Sequence, residues 1–196
     1  MKLTVFAHRA ATVMGLSRFS ADFHRLAGMH ALFIFSSTLS GVFISTFLFK
    51  NSSSFETVGR FYLCAFSFEI LSCVLVIVLS SRVQDTVLSR MGLLLFTASY
   101  LTLLILRERA VDFYPVVAFL SSIGASLYWV SYAQYGIRYT TEANRAAGIG
   151  FLGYTASFIV LIAPLLSGAI ISSLPGISGY ITIFAVSVVA FICAGT

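Results

Sequence analysis

Charge is what this sequence most conspicuously lacks. Asp, Glu, Lys and Arg together make up 10% of its 196 residues, less than half of the roughly 25% usual in soluble domains. Seven acidic side chains set beside 19 phenylalanines could not keep a folded surface in water, which excludes a soluble globular domain. Histidine is equally scarce. His8, His24 and His30 all fall in the first thirty residues, so no later segment can supply an imidazole as general base or gather one into a metal site. The three cysteines, Cys64, Cys73 and Cys193, show no ligand-type spacing. Cys64 and Cys73, nine residues apart on one helix, project from nearly opposite faces and cannot bond to each other. All three are expected as small buried hydrophobes. Nor is the net charge of +5 gathered into a patch or stripe, so a nucleic-acid partner is not expected.

What the sequence has instead is six long apolar runs, at about 29–49, 61–80, 87–106, 111–137, 146–173 and 177–194. A helix rising about 1.5 Å per residue needs roughly 20 apolar residues to cross a hydrocarbon core about 30 Å thick. Inside hydrocarbon each backbone amide must find its partner within the chain, so runs of this kind are helices. The expected fold is therefore an all-α membrane protein, a bundle of six transmembrane helices over residues 29–196, preceded by an interfacial segment at residues 1–28. Membrane lipids are its expected surroundings.

The leading segment does not read as a signal peptide, because Arg9, Arg18 and Arg25 interrupt every candidate apolar core. Leu3, Phe6, Ala10 and Val13 recur at helical spacing, which fits either a short amphipathic helix on an anionic surface or a disordered tail. Basic residues in short loops set orientation. Lys2, Arg9, Arg18, Arg25, Arg82, Arg90, Arg138 and Arg145 share one side, against Lys50, Arg60, Arg107 and Arg109 on the other. Eight against four places both termini in the cytoplasm of a multi-pass cell-membrane protein. Short polar turns at 51–54 and 174–179, the latter with Pro175-Gly176, make successive helices antiparallel.

Polar and small residues within the runs are the candidate functional positions. Glu69 stands near the middle of the second run, where a carboxylate costs roughly 2.5–3.5 kcal/mol on insertion scales. Two readings stand: a group on a proton or substrate pathway, or a carboxyl hydrogen-bonded to a neighbouring helix as packing glue. In the fourth run Tyr128, Tyr132 and Tyr135 fall at i, i+4 and i+7, one helix face, with Trp129 beside them. Near Arg138 such residues form an interfacial aromatic belt; Tyr128, Trp129 and Tyr132 are candidates for a substrate path. In the fifth run Gly150, Gly153, Ser157, Ala163, Ser167 and Gly168 surround Pro164. Small residues let membrane helices approach closely, and Pro164 removes a backbone hydrogen bond. The expectation is a closely packed face and a hinge.

These features resemble the amino-terminal half of a major facilitator superfamily transporter, most closely its uncharacterised bacterial permeases. The resemblance covers about residues 22–194. In that family's loop between the second and third spans, Ser81 stands where the first Gly is usual, Asp85 matches the Asp, Leu88 replaces an internal Gly and Arg90 matches a terminal basic position. The fifth-span motif of its antiporters is matched at Gly150, Pro164 and Gly168. The resemblance implies one half of a major facilitator-type fold and secondary active transport of a small solute by alternating access. It implies that Asp85 and Arg90 act in a gate loop and that Gly150, Gly153, Pro164 and Gly168 serve as hinge and packing positions. The family's common fourth-span Arg is absent, since 119–134 holds no charge, which leaves Glu69 as the candidate coupling group. The resemblance further implies a second six-helix half, from a longer or split gene, or a homodimer.

An enzyme is not expected. Gly124-Ala125-Ser126 superficially fits the serine motif of rhomboid-type proteases, but no histidine follows it. No cofactor or metal site is expected. The alternative to a transporter is a truncated or inactive membrane protein that acts only as an assembly partner.

Overall fold

A computed structural model describes residues 19–195; the amphipathic stretch expected at Leu3–Val13 lies outside the described residues. Six α-helices follow one another: α1 (Ala21–Ser52), α2 (Phe55–Ser80), α3 (Asp85–Leu106), α4 (Tyr114–Arg138), α5 (Arg145–Ser173) and α6 (Ser178–Gly195). A short 3-10 turn, Arg107–Val111, joins α3 to α4. All six helices are long and apolar enough to cross a membrane, and there is no strand among the described residues. The chain is a multi-pass, all-α membrane bundle.

α1 begins at Ala21, eight residues before the uninterrupted apolar run. Local chemistry sets that start: the Ser20 hydroxyl accepts a hydrogen bond from the Phe23 amide at 3.2 Å, and Asp22 sits in the first turn, where the helix dipole favours negative charge. Phe19 also stacks on Phe23 at 4.2 Å. The helix ends at Ser53, whose left-handed φ of 52° lets its amide donate to the Phe49 carbonyl. Gly176, at φ 63°, makes the reversal between α5 and α6, a conformation that a side chain would strain.

The helices sort into a core and two flanks. Buried residues make up 44–50% of the apolar stretches of α1, α3, α4 and α6, but 11% of those of α2 and α5. α1 packs on α5 and α6, α4 packs on α2 and α3, and α3 packs on α6. Exchanging α1 with α4, α2 with α5 and α3 with α6 reproduces that set of contacts; the α5–α6 contact alone has no counterpart of similar extent. Three short reversals separate α1 from α4, so the exchange relates two helix triplets of opposite direction.

Aromatic rings fill the core between α1, α3 and α6. Phe33 meets Phe96 and Phe191, Tyr100 meets Phe184 and Phe191, and Phe47 meets Phe184 and Tyr180. Serines stitch the same helices, because a hydroxyl surrounded by hydrocarbon must find a partner. The Ser40 and Ser187 hydroxyls lie 2.6 Å apart, and their two protons are shared between that contact and the Ile183 and Ser36 carbonyls across the α1–α6 boundary, each at 2.9 Å. Ser167 donates to the Leu39 carbonyl, joining α5 to α1. On the other side of the bundle Ser72 pairs with Ser126 at 2.5 Å, and Ser122 donates to the Ala65 carbonyl at 2.8 Å, joining α2 to α4.

α3 and α4 approach each other closely through a pair of glycines. A Cβ at Gly92 would stand 2.8 Å from the Gly124 carbonyl oxygen and 2.8 Å from the Tyr128 nitrogen; one at Gly124 would meet the Gly92 oxygen at 2.9 Å. The fifth-run glycines behave differently from the sequence expectation. A methyl added at Gly150, Gly153 or Gly168 meets nothing within 4 Å, so they form no closely packed face within this bundle. α5 contacts α1 instead through buried Ala163 and Ser167. α5 runs as one helix through Pro164. The cysteines also depart from expectation: Cys73 and Cys193 are exposed, and Cys64 is half-buried against the core.

Candidate functional site: an aromatic cluster between α1 and α4

His30 and Phe33, at i and i+3 on α1, face α4 together. Tyr128 and Tyr132, at i and i+4 on α4, face back. Between them they make a layered cluster. The His30 ring stacks on Tyr132 with centroids 4.0 Å apart, and its Nδ1 shares a 3.0 Å hydrogen bond with the Tyr128 hydroxyl. Phe33 stacks on Tyr128 at 3.5 Å. Trp129 stands edge-on to His30, Phe33 and Tyr132 at 5.7, 5.9 and 5.5 Å.

Burial distinguishes the members. Tyr128 is 0% exposed and His30 2%, whereas Trp129 is 45% exposed. The buried Tyr–His pair is thus a polar bond sealed inside the bundle, and it fixes the rings that carry Trp129 outward. Tyr128, expected from the sequence on an accessible path, has no access of its own; Trp129 and half-buried Tyr132 form the open edge. An indole presented this way can stack on an apolar or aromatic solute, or hold a cation over its face. His30 is legible in the sequence as a polar ring inside an apolar run, the same signal that marks Glu69, but its pairing with Tyr128, 98 residues on, is not.

Glu69 does not join this cluster. It lies exposed on α2, and no ion pair among the described residues involves it. Its backbone carbonyl accepts from the Ser72 hydroxyl at 2.9 Å, so the neighbouring serine serves the helix and leaves the carboxylate unpaired. The packing-glue reading finds no support within this chain.

Asp85 and Arg90 are likewise not a pair. Five residues of α-helix rotate about 140° around the axis, which puts them on different faces. Asp85 instead takes Arg138 at the end of α4, with 3.0 Å between Oδ2 and a guanidinium nitrogen; its side chain is 7% exposed against 59% for Arg138. The Gln134 amide lies against the same carboxylate, donating to both oxygens once its nitrogen faces them. This arrangement ties the α2–α3 loop to the end of α4. At the opposite end of the bundle Lys50 donates to the Gly176 carbonyl at 2.7 Å, clamping α1 to the α5–α6 reversal. Among the described residues no three His, Cys, Asp or Glu side chains gather as a metal site.

No protein-family model matches the chain, and no solved structure matches it. Two curated relatives do. One is an uncharacterized protein from the sodM 3′ region of Geobacillus stearothermophilus, 26% identical over 159 residues that span 81% of this chain and 73% of that protein. The other is the uncharacterized protein YqgE of Bacillus subtilis strain 168, 25% identical over 169 residues that span 86% of this chain. The match covers 39% of YqgE, so well over half of that protein lies beyond it.

Proposed function

We propose that this chain is one six-helix half of a secondary transporter that moves a small solute across the cell membrane by alternating access, with both chain ends on the cytoplasmic side. The observation that carries the reading is the exchange of α1 with α4, α2 with α5 and α3 with α6 between helix triplets of opposite direction. Inverted triplets nested within six-helix halves are the architecture on which alternating access is built, with the solute held near the midplane at the repeat interface. α1 and α4 occupy equivalent places under that exchange, and they carry the His30–Tyr128–Tyr132–Trp129 cluster. In this reading Trp129 and Tyr132 contact the solute, and His30 and Tyr128 position them. Asp85, bound to Arg138, closes the gate loop in place of an Asp85–Arg90 pair. The bare sides of α2 and α5 await the second half, for which the greater length of YqgE gives room.

A second reading rests on Ser81 and Leu88, which stand where the resembled loop carries glycines: a chain that no longer transports and serves as an assembly partner. Both readings are separated by labelling Trp129→Cys, in a background with Cys64, Cys73 and Cys193 changed to Ser, with a membrane-impermeant maleimide. A solute path admits the reagent at position 129 and not at Val189→Cys, whose side chain is also exposed but lies on α6. Equal silence at both positions overturns the transporter reading.

A further inference from the structure

A cavity of about 520 Å³ opens at the end of the bundle where α1 begins and α6 ends. Its lining is ordered by depth. On α1, Arg25, Met29 and Leu32 follow at i, i+4 and i+7, and on α3, Arg90 is followed by Leu93; all five border the cavity. Two helices therefore present the same sequence from the bundle end inward, a guanidinium and then hydrocarbon. From Arg25 to Leu32 the descent is about 10 Å at 1.5 Å per residue.

The rim carries a surplus of positive charge. Arg25 is shared with Asp22 at 3.2 Å, both well exposed, and no described hydrogen bond or ion pair engages the Arg90 guanidinium. Ser89, buried beneath the rim, meets the Met29 sulfur at 3.8 Å. Two guanidiniums against one carboxylate suit a phosphodiester.

We propose that this cavity binds one anionic glycerophospholipid, its phosphate between Arg25 and Arg90 and an acyl chain along Met29, Leu32 and Leu93. A small soluble anion would use the rim and leave a hydrocarbon floor unused. A phospholipid uses both, and the rim lies at the depth where headgroups sit whichever way the bundle is inserted. Basic pockets between transmembrane helices at the membrane surface recognise anionic headgroups by this same charge pairing.

The test is native mass spectrometry of the detergent-purified full chain, titrated with dioleoylphosphatidylglycerol, dioleoylphosphatidylcholine or sn-glycerol 3-phosphate. One phosphatidylglycerol is expected to bind in preference to phosphatidylcholine. Each basic residue beside an anionic group is worth about fivefold in affinity, so Arg25→Gln with Arg90→Gln should weaken binding about thirtyfold. Arg25→Lys with Arg90→Lys keeps the charge and should stay within about threefold of the parent, which separates charge from misfolding. Arg60→Gln, near the start of α2, with Arg109→Gln, in the 3-10 turn, both at the other end of the bundle, should change nothing. Equal weakening by that control pair, or an equal loss in the lysine pair, overturns the site. Glycerol phosphate binding as tightly as the lipid overturns the lipid and leaves a phosphate pocket.

Discussion

Gly92 and Gly124 supply the sharpest test of the packing, because the same substitution should act with opposite sign at two sets of glycines in one protein. At Gly92→Ala the new methyl carbon would lie 2.8 Å from the Gly124 oxygen and the Tyr128 nitrogen, and both obstacles are backbone. No rotamer change relieves that contact, so α3 and α4 must move apart by roughly half an ångström, enough to forfeit a quarter or more of the dispersion energy along their seam. Overpacking of this kind costs about 1–3 kcal/mol. Replacing helical Gly by Ala returns about 0.5–1 kcal/mol, which leaves Gly92→Ala and Gly124→Ala each destabilising by about 1–2 kcal/mol. The double variant should cost less than the sum, since one separation accommodates both methyls. At Gly150→Ala and Gly153→Ala the methyl meets open space and only the helix preference remains, so stability should be unchanged or raised by up to about 1 kcal/mol. Unfolding of the detergent-purified chain, followed by helical circular dichroism against denaturant, reads all five proteins. Gly92→Ala behaving like Gly150→Ala would refute the α3–α4 contact as described.

Three shorter tests address the polar groups. Tyr128→Phe leaves the His30 Nδ1 without its buried partner and should lower stability in the same unfolding assay by about 1–3 kcal/mol, while His30→Phe with Tyr128→Phe should cost about 1 kcal/mol less than the two singles together. Asp85→Ala frees the α2–α3 loop from Arg138; with that partner largely exposed the pair is worth about 1 kcal/mol, so trypsin should cut after Arg82 about fivefold faster. Glu69→Leu removes an unpaired carboxylate from the apolar side of α2 and should favour membrane insertion of that segment by about 2.5–3.5 kcal/mol in a translocon insertion assay; an unchanged insertion fraction would mean that Glu69 meets water.

The number of helices and their approximate extents were legible in the sequence because hydrocarbon imposes a single requirement, length of apolar run, that each segment meets alone. Residues whose role depends on a second helix were not. Gly92 and Gly124 lie in different runs with no spacing rule to connect them, and their contact exists only once α3 and α4 pack. The fifth-run glycines carried the stronger local signal, several small residues around a proline, yet they face away from this bundle. Arg138 as the partner of Asp85 was hidden for the same reason, since 53 positions separate them, whereas the nearer Arg90 is turned aside by helix geometry. His30 is a different kind of miss: its polarity within an apolar run was visible, and only its pairing with Tyr128 shows why burial is tolerated there.

The least-buried helices, α2 and α5, hold equivalent places under the exchange, and what covers them is constrained by one side chain. A symmetric dimer formed through α2 would set Glu69 against Glu69 of the second copy, two acidic groups brought together in hydrocarbon with no basic partner, each costly there on its own. α2 against α5 of a second copy avoids that clash. Glu69 lies 11 residues from the end of α2 at Ser80, and Tyr154 and Ser157 lie 9 and 12 residues into α5 from the same side of the bundle. At 1.5 Å per residue all three sit about 13–18 Å deep, and both α5 residues are exposed with hydroxyls to donate. A second half would have to offer a donor at that depth as well. Oxidation of a variant that keeps Glu69 and, of the native cysteines, only the exposed Cys73 one turn away should therefore give no disulfide-linked dimer in membranes, while adding Gly153→Cys on the exposed side of α5 should give one if two copies associate. A dimer cross-linked through Cys73 alone would show α2 meeting α2 with both carboxylates in place and refute the electrostatic argument.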